Sequence, residues 1–174
     1  MAFTQQVTPT APAAADRRVG FDVGVLVLSL LLVAAVAVSG ALINAGETDG
    51  WYAAADKPPA TPPGWLFGPV WSILYTAMAV AAWLVWRAGG FAGARTALGL
   101  YALQLALNAT WTPVFFGAER LFLGLVVILA LDLAILATAV AFRRHSRTAA
   151  LLLVPYLAWT LFATYLNAGI AALN

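Results

Sequence analysis

The stretch WYAAADKPPATPPGWLFGPVW, from Trp51 to Trp71, interrupts a chain that is otherwise almost entirely apolar. It holds five of the nine prolines and three of the seven tryptophans, whereas its flanks consist mainly of Leu, Val and Ala. Proline cannot continue a helix, and it also restricts the residue before it. We therefore predict a stiff aromatic loop at residues 44–64, joining two apolar helices. Loops of this length in compact folds usually serve a function.

The composition excludes a soluble globular protein. The chain is 63% hydrophobic and 9% charged, with a mean hydropathy of +0.90. Soluble domains average roughly 45–50% apolar and about 25% charged residues. So little polar surface cannot cover a particle in water, and we predict an integral membrane protein whose main partner is the lipid bilayer.

Five apolar runs each have the roughly 20–25 residues that a helix needs to cross a membrane. Helices are required because lipid offers no hydrogen-bond partner to the backbone. The sequence thus predicts an all-α membrane protein, a five-transmembrane-helix bundle. The predicted spans are residues 23–43, 65–86, 96–116, 121–142 and 149–173. Residues 1–20 are rich in Ala, Thr and Pro and predict a disordered tail.

The basic residues predict the orientation. Seven fall on the side of the N-terminus and two on the other, and basic residues mark the cytoplasmic side. The seven are Arg17, Arg18, Arg87, Arg95, Arg143, Arg144 and Arg147, and the two are Lys57 and Arg120. We predict a bacterial inner-membrane protein with its N-terminus in the cytoplasm and its C-terminus outside. The basic excess then reports topology, and we predict no nucleic-acid partner.

The sequence gives no support for a metal centre or for covalent catalysis. It has no cysteine, and its one histidine, His145, lies in a basic loop. A zinc or iron site needs several Cys or His ligands. With no nucleophile–base pair in view, we predict no catalytic residue, no metal and no required cofactor.

The third predicted span carries polar and aromatic residues on one face. Tyr101, Gln104, Asn108 and Trp111 are spaced i, i+3, i+7 and i+10, which places them together on a helix. Amides in hydrocarbon need partners. They either bond neighbouring helices or line a pocket, and their aromatic neighbours favour the pocket.

Two other spans present similar faces. These comprise Trp71, Tyr75 and Met78 in the second span, and Tyr156, Trp159, Ala163 and Asn167 in the fifth. Aromatic walls with a few polar groups are typical of small-molecule sites. We therefore predict one cavity between these helices. Trp51 and Tyr52 would let the loop close over it as a lid, although the same residues could anchor the loop at the membrane surface.

Two further features remain open. Gly99, Ala102, Ala106 and Ala109 lie opposite the polar face of the third span, and such small-residue faces let helices approach closely. We expect them to form a homodimer contact. Asp132 lies within the fourth span without an obvious basic partner, so it is either protonated or hydrogen-bonded. A part in a proton relay is the further alternative.

Three stretches resemble the translocator protein (TspO/MBR) family, also called tryptophan-rich sensory proteins. They are WYAAADKPPATPPGWLFGPVWSILY, NATWTPVFFG and VPYLAWTLFATYLN, and the resemblance extends from about Phe21 to the C-terminus. It implies a five-helix bundle, commonly dimeric, that binds porphyrins, including haem. In some members it also implies binding of sterols and synthetic ligands.

The resemblance also implies roles for individual residues. Trp71 and Trp159 match the pocket tryptophans, Asn108 the pocket amide, Tyr52 the loop tyrosine near the ligand, and Ala163 a small position beside the pocket. Tyr165 departs from the proposed sterol motif, because no basic residue follows it.

We therefore predict a membrane receptor or sensor for tetrapyrroles. The ligand would enter from the loop side, stack on the two pocket tryptophans and bond to Asn108 and Tyr52. Two alternatives stay open: light-dependent breakdown of the bound porphyrin, and transport of a porphyrin or sterol.

Overall fold

The computed structural model describes residues 12–47 and 50–174, with side chains for residues 20–43 and 50–174. Its helices are α1 (Pro12–Glu47), α2 (Trp51–Ala54), α3 (Phe67–Gly93), α4 (Arg95–Thr112), α5 (Leu121–Arg143), α6 (Arg147–Leu152) and α7 (Val154–Leu173). A 3₁₀ turn at Gly64–Leu66 precedes α3, and a π-helical turn at Pro113–Gly117 follows α4. The described residues form no strand.

In the part of the chain that the structure describes, four helical segments are long and apolar enough to cross a membrane: Gly20–Ile43, Gly64–Gly93, Leu121–Arg143 and Arg147–Leu173. They correspond to the first, second, fourth and fifth predicted spans. The third predicted span is α4 with its π-helical turn. Its 18-residue α-helix is less apolar than the others because Gln104 and Asn108 interrupt it, and both side chains are buried.

The first helix is longer than its apolar core. It begins at Pro12, within the region predicted to be disordered, and extends to Glu47, within the predicted loop. Residues 1–11 of the predicted tail lie outside the described part of the chain. Proline suits the first turn of a helix, and the alanines that follow it have the highest helix propensity.

The helices pack as neighbours in an up-and-down bundle. α4 packs along α5, α5 along α7, and α1 along α3, while the short α6 contacts α3 and α5. Gly90 has φ 61° near the end of α3, a conformation that glycine adopts readily, and it permits the tight turn into α4. The helix breaks at Leu153, between α6 and α7, where Pro155 in the first turn of α7 lacks the N–H that would continue the ladder.

The bundle has two distinct ends. The loop end carries residues 50–66 and 113–120 together with the end of α7. The arginine end carries Arg87, Arg95, Arg143, Arg144 and Arg147, all exposed. The fully buried side chains of Met78, Val85 and Ile135 lie between the middle of the bundle and the arginine end, and that of Ile170 lies near the loop end.

Candidate functional site

A cavity of about 340 Å³ opens in the loop-end half of the bundle. Its walls come from α1, α3, α4 and α7, with one ring from the π-helical turn. The lining residues are Ala37, Val38, Gly40, Ala41, Phe67, Gly68, Trp71, Ser72, Tyr75, Asn108, Trp111, Thr112, Phe116, Trp159 and Ala163. The volume lies at the small end of the ~300–1,000 Å³ typical of ligand pockets.

The sequence predicts ten ligand-binding residues: Trp51, Tyr52, Trp71, Tyr75, Gln104, Asn108, Trp111, Tyr156, Trp159 and Ala163. Six of them line this cavity. They are Trp71, Tyr75, Asn108, Trp111, Trp159 and Ala163. Helical periodicity explains the result, because residues three or four positions apart share a face. Trp71 and Tyr75, one turn apart on α3, stack with ring centroids 5.4 Å apart.

The other four predicted residues lie around the cavity without lining it. Tyr156 is fully buried behind Trp71, with ring centroids 6.1 Å apart. Gln104 is buried deeper in α4, where its Nε2 contacts the Sδ of Met78 at 3.9 Å. Trp51 and Tyr52 pack against the π-helical turn at the loop end.

Asn108 connects three helices through two tyrosines. Its Oδ1 accepts a hydrogen bond from the Tyr75 hydroxyl at 2.6 Å. Its Nδ2 donates to the hydroxyl oxygen of Tyr156 at 3.0 Å. Asn108 thus lines the cavity and also links neighbouring helices. Both roles considered for this buried amide therefore apply at once. Its main hydrogen-bonding capacity is already engaged inside the protein.

Trp159, one of the lining residues, carries a donor that is unpaired within the described part of the chain. Its indole Nε1 is buried and has no acceptor among the described residues. The ring packs edge-on against Phe67, with centroids 5.7 Å apart. A buried N–H without a partner is costly, so a ligand that brings an acceptor to this position would gain a hydrogen bond at little cost in the protein.

Tryptophans and an amide from three helices thus surround one cavity between the helices. The sequence matches the TspO/MBR family over residues 28–173. The chain belongs to the TspO/MBR family.

Named relatives in the TspO/MBR family come from distant organisms. The tryptophan-rich protein TspO of Archaeoglobus fulgidus is 42% identical over 149 residues, covering 86% of this chain and 96% of the relative. The translocator protein of Homo sapiens is 50% identical over 124 residues, covering 70% and 73%. The tryptophan-rich sensory protein of Cereibacter sphaeroides is 41% identical over 140 residues, covering 80% and 85%. With its apolar helices, membership in this family makes the chain an integral membrane protein.

The loop of this TspO/MBR chain packs closely on the loop end. Trp51 donates from Nε1 to the carbonyl oxygen of Phe116 at 3.0 Å and contacts the ring of Phe115. The ammonium of Lys57 lies 4.9 Å from the centre of the Tyr52 ring. Burial raises the pKa of the Tyr52 hydroxyl, because the phenolate would lose its hydration. Tyr52 therefore acts as a neutral group.

A second set of contacts fastens residues 56–59 to α7, and we call it the loop latch. The Tyr165 hydroxyl donates to the carbonyl oxygen of Pro59 at 2.9 Å. The Asn174 side chain bonds both the N–H and the carbonyl oxygen of Asp56, each at 3.1 Å. Pro58 lies directly on Gly169, where a Cβ would come within 2.5 Å of the proline ring. The loop is thus held closed over the end of the bundle.

The contribution of α1 to the cavity could not be predicted from the sequence. Ala37, Val38, Gly40 and Ala41 form one wall of the TspO/MBR cavity. They carry no polar or aromatic group, so no pattern distinguishes them from lipid-facing residues. Phe67 was also missed, although its position four residues before Trp71 places it on the same face.

Asp132 is hydrogen-bonded, which is one of the interpretations that the sequence left open for this acidic residue within a span. Its Oδ2 accepts from the Thr164 hydroxyl at 2.8 Å and so joins α5 to α7, while its Oδ1 is buried and unpaired. The one ion pair found among the described side chains, Arg87 with Asp22, lies at the arginine end.

Of the small residues predicted to form a dimer contact, Gly99, Ala102 and Ala106 are exposed and Ala109 is partly buried. They therefore lie on the outside of α4, where a second copy could reach them. A dimer contact through this face stays a prediction.

Proposed function

We propose that this protein is a membrane receptor that binds tetrapyrroles in the cavity between α1, α3, α4 and α7. One observation carries the proposal: Trp71, Asn108 and Trp159, from three different helices, meet at one largely apolar cavity in a TspO/MBR chain. Relatives are named translocator and sensory proteins, which supports a role in sensing or moving the bound molecule.

Ring stacking and burial would supply most of the affinity. Trp71 and Trp159 present indole rings to the cavity, and aromatic pairs contribute about 0.5–1.5 kcal/mol beyond their buried area. Trp159 Nε1 is the free donor for a polar edge of the ligand, such as a carboxylate. Among the described residues, the cavity lining has no His, Cys or Met that could ligate a haem iron, and the hydroxyl of Tyr75 is already bonded to Asn108. A metal-free porphyrin should therefore bind about as well as haem.

The test is a titration of the purified protein with protoporphyrin IX and with haemin, followed by porphyrin absorption. Trp71→Phe and Trp159→Phe should each weaken binding about tenfold, the equivalent of ~1.4 kcal/mol. Trp65→Phe is the matched control, because Trp65 is 73% exposed and outside the cavity. Equal binding by all three variants would refute the cavity as the site. Much tighter binding of haemin than of protoporphyrin would refute a stacking mechanism.

One contact favours light-dependent porphyrin breakdown as a second candidate. Trp71 stacks on Tyr75, whose hydroxyl bonds to Asn108, so two oxidisable rings lie in series beside the ligand position. Under illumination with oxygen present, the native protein should then consume bound protoporphyrin, and Trp71→Phe should not. If both proteins lose bound protoporphyrin equally at equal occupancy, Trp71 does not take part in its breakdown. Receptor function would then be the remaining candidate.

Transport is separated from receptor function by a flux measurement. Proteoliposomes with the native protein should accumulate protoporphyrin faster than those with Trp159→Ala if the cavity is part of a route across the membrane. If protoporphyrin enters these proteoliposomes no faster than protein-free liposomes, while binding persists, transport is excluded.

We propose five membrane spans, with α4 and its π-helical turn as the third. α4 is the least apolar because its amides turn inward: Gln104 and Asn108 are 1% and 3% exposed. The basic residues then place the N-terminus in the cytoplasm of a bacterium and the loop end outside its inner membrane. The chain has no cysteine, so single cysteines can be placed at Ala92 and Ala118, both exposed. An impermeant maleimide added outside should label only Ala118→Cys.

We also propose a homodimer through the small residues of α4. Leucine at Ala102 and Ala106, both exposed, would keep two helices apart. The double variant should elute as a smaller particle from detergent than the native protein. Ala158→Leu, an exposed position on α7, is the control. Unchanged elution of the double variant would exclude this face.

A further inference from the structure

We propose that the ligand reaches the cavity from the bilayer, through a side opening between α1 and α3, while the loop stays closed. The side opening is defined by Val38 and Ala41 on α1 and by Gly68 and Ser72 on α3. The proposal rests on the proposed receptor function and replaces the expectation that the ligand enters from the loop side.

The first support is that only the wall formed by α1 and α3 is exposed at the outer surface of the protein. All four residues of the side opening line the cavity and are exposed, Val38 at 56%. A residue that is both cavity wall and outer surface marks a place where the cavity meets the surroundings. The lining residues Asn108, Trp111 and Ala163, on α4 and α7, are buried instead. The cavity therefore opens towards α1 and α3.

The second support is the lack of a closing side chain at this place. On α1 the wall consists of Ala37, Gly40 and Ala41 beside Val38, so no large ring projects across it. α1 is also weakly embedded, since only 6% of the apolar stretch within Gly20–Ile43 is buried inside the protein. A small displacement of this helix could admit a flat molecule to the cavity without exposing the hydrophobic core of the bundle.

The third support is the chemistry of the opening. Val38 and Ala41 belong to the apolar segment Gly20–Ile43, so they face the hydrocarbon of the membrane. The one polar side chain at the opening, Ser72, donates its hydroxyl to the carbonyl oxygen of Gly68 within its own helix at 2.9 Å. The opening thus presents no unpaired side-chain donor to lipid, and an apolar ring system can pass it without losing hydrogen bonds.

The fourth support is the closed loop end. Access beneath the loop would break the bond from Trp51 to Phe116 and the loop latch at Tyr165 and Asn174. It would also lift Pro58 from Gly169, where the two are in direct contact. The side route breaks none of these contacts. It further selects the ligand class: flat, largely apolar molecules that partition into the bilayer before they bind.

The test measures how fast protoporphyrin IX binds to and leaves the full chain in lipid nanodiscs. Ala41→Trp and Ser72→Trp should narrow the side opening, and both association and dissociation should slow by about tenfold. Slower dissociation is the decisive readout, because damage to the cavity itself would speed release. Ile73→Trp is the matched control: Ile73 is 69% exposed and does not line the cavity.

A second variant avoids changes that could disturb folding. Val38→Cys is labelled after purification with a bulky maleimide, which is specific because the chain has no other cysteine. The label should slow both rates, whereas the same label on Ile73→Cys should not.

Ligand passage beneath the loop would give a different set of rates. Unchanged rates in the Trp variants, together with faster exchange when the loop latch is removed by Tyr165→Phe and Asn174→Ala, would show that the ligand passes beneath the loop and overturn this proposal. In that outcome binding itself persists and the receptor function stands. An absence of saturable binding in the native protein would overturn both proposals.

Discussion

The two halves of this bundle share the long helices α1, α3, α4, α5 and α7 but are packed differently. Towards the loop end, Phe67 packs edge-on against Trp159 and Trp71 edge-on against Tyr156. Trp71, Phe116 and Trp159 line the cavity there. Towards the arginine end, Met78 and Ile135 are 0% exposed, and small residues on α3 let the helices close around them.

This difference separates stability from binding. A tightly packed half loses many contacts when a side chain is shortened, whereas a half that already contains a cavity has fewer to lose. The arginine-end half should therefore carry most of the stability and the loop-end half the ligand. Asn108, which bonds Tyr75 and Tyr156, lies between the two.

The largest expected effect is on stability at the arginine end. Phe142 is 0% exposed and stacks on Tyr101, with ring centroids 5.9 Å apart. Phe142→Ala should lower the free energy of unfolding by on the order of 3 kcal/mol, because it leaves a cavity. Thermal unfolding in detergent measures this, with Leu133→Ala as a lipid-facing control at 69% exposure. Protoporphyrin affinity of the folded fraction should be unchanged. A loss of affinity equal to that of Trp71→Phe would show that the halves are not separable.

The next effect concerns the bridge between the halves. Asn108→Ala removes the acceptor of the Tyr75 hydroxyl and the donor to the Tyr156 hydroxyl. Unpaired buried polar groups cost roughly 1–3 kcal/mol, so we expect a loss of about 2 kcal/mol together with weaker binding. Thr110→Ala, whose hydroxyl bonds only within its own helix, should change unfolding little. If both variants unfold alike, the bridge contributes nothing.

The smallest effect is local and lies at the loop latch. Asn174→Ala removes two hydrogen bonds to the backbone of Asp56. Local opening of residues 51–59 should become easier by about 1 kcal/mol. Hydrogen exchange should speed up there and not in α5, while the overall unfolding temperature stays nearly constant. Ser39→Ala, an exposed hydroxyl bonded within α1, serves as control. Unchanged exchange in the loop would mean that the remaining latch contacts suffice.

The cavity could be predicted in outline because its polar and aromatic residues stand out against Leu, Val and Ala. Helical spacing placed Trp71 with Tyr75 and Asn108 with Trp111, and all four line the cavity. The same reasoning could not exclude Gln104, which shares the polar face of α4 but lies deeper in the bundle. Periodicity gives the face of a residue and says little about its depth.

The α1 wall could not be predicted from the sequence at all. Gly40 and Ala41 line the cavity, yet small apolar residues occur equally on lipid-facing surfaces. The amide of Asn108 was ambiguous for a related reason. A buried amide needs hydrogen-bond partners, and the sequence alone does not say whether those partners are tyrosines or a ligand.

Composition and spacing by themselves determined that this is a helical membrane protein with an aromatic loop, tryptophan-bearing helix faces and a basic side. Each of these follows from local physics: the length of an apolar run, the period of a helix, and the inability of proline to continue one. The tertiary structure alone decided that the loop docks on α7 and that α1 leaves the cavity open at its side. These depend on contacts between distant residues, such as Asp56 and Asn174, 118 positions apart, which no local pattern encodes.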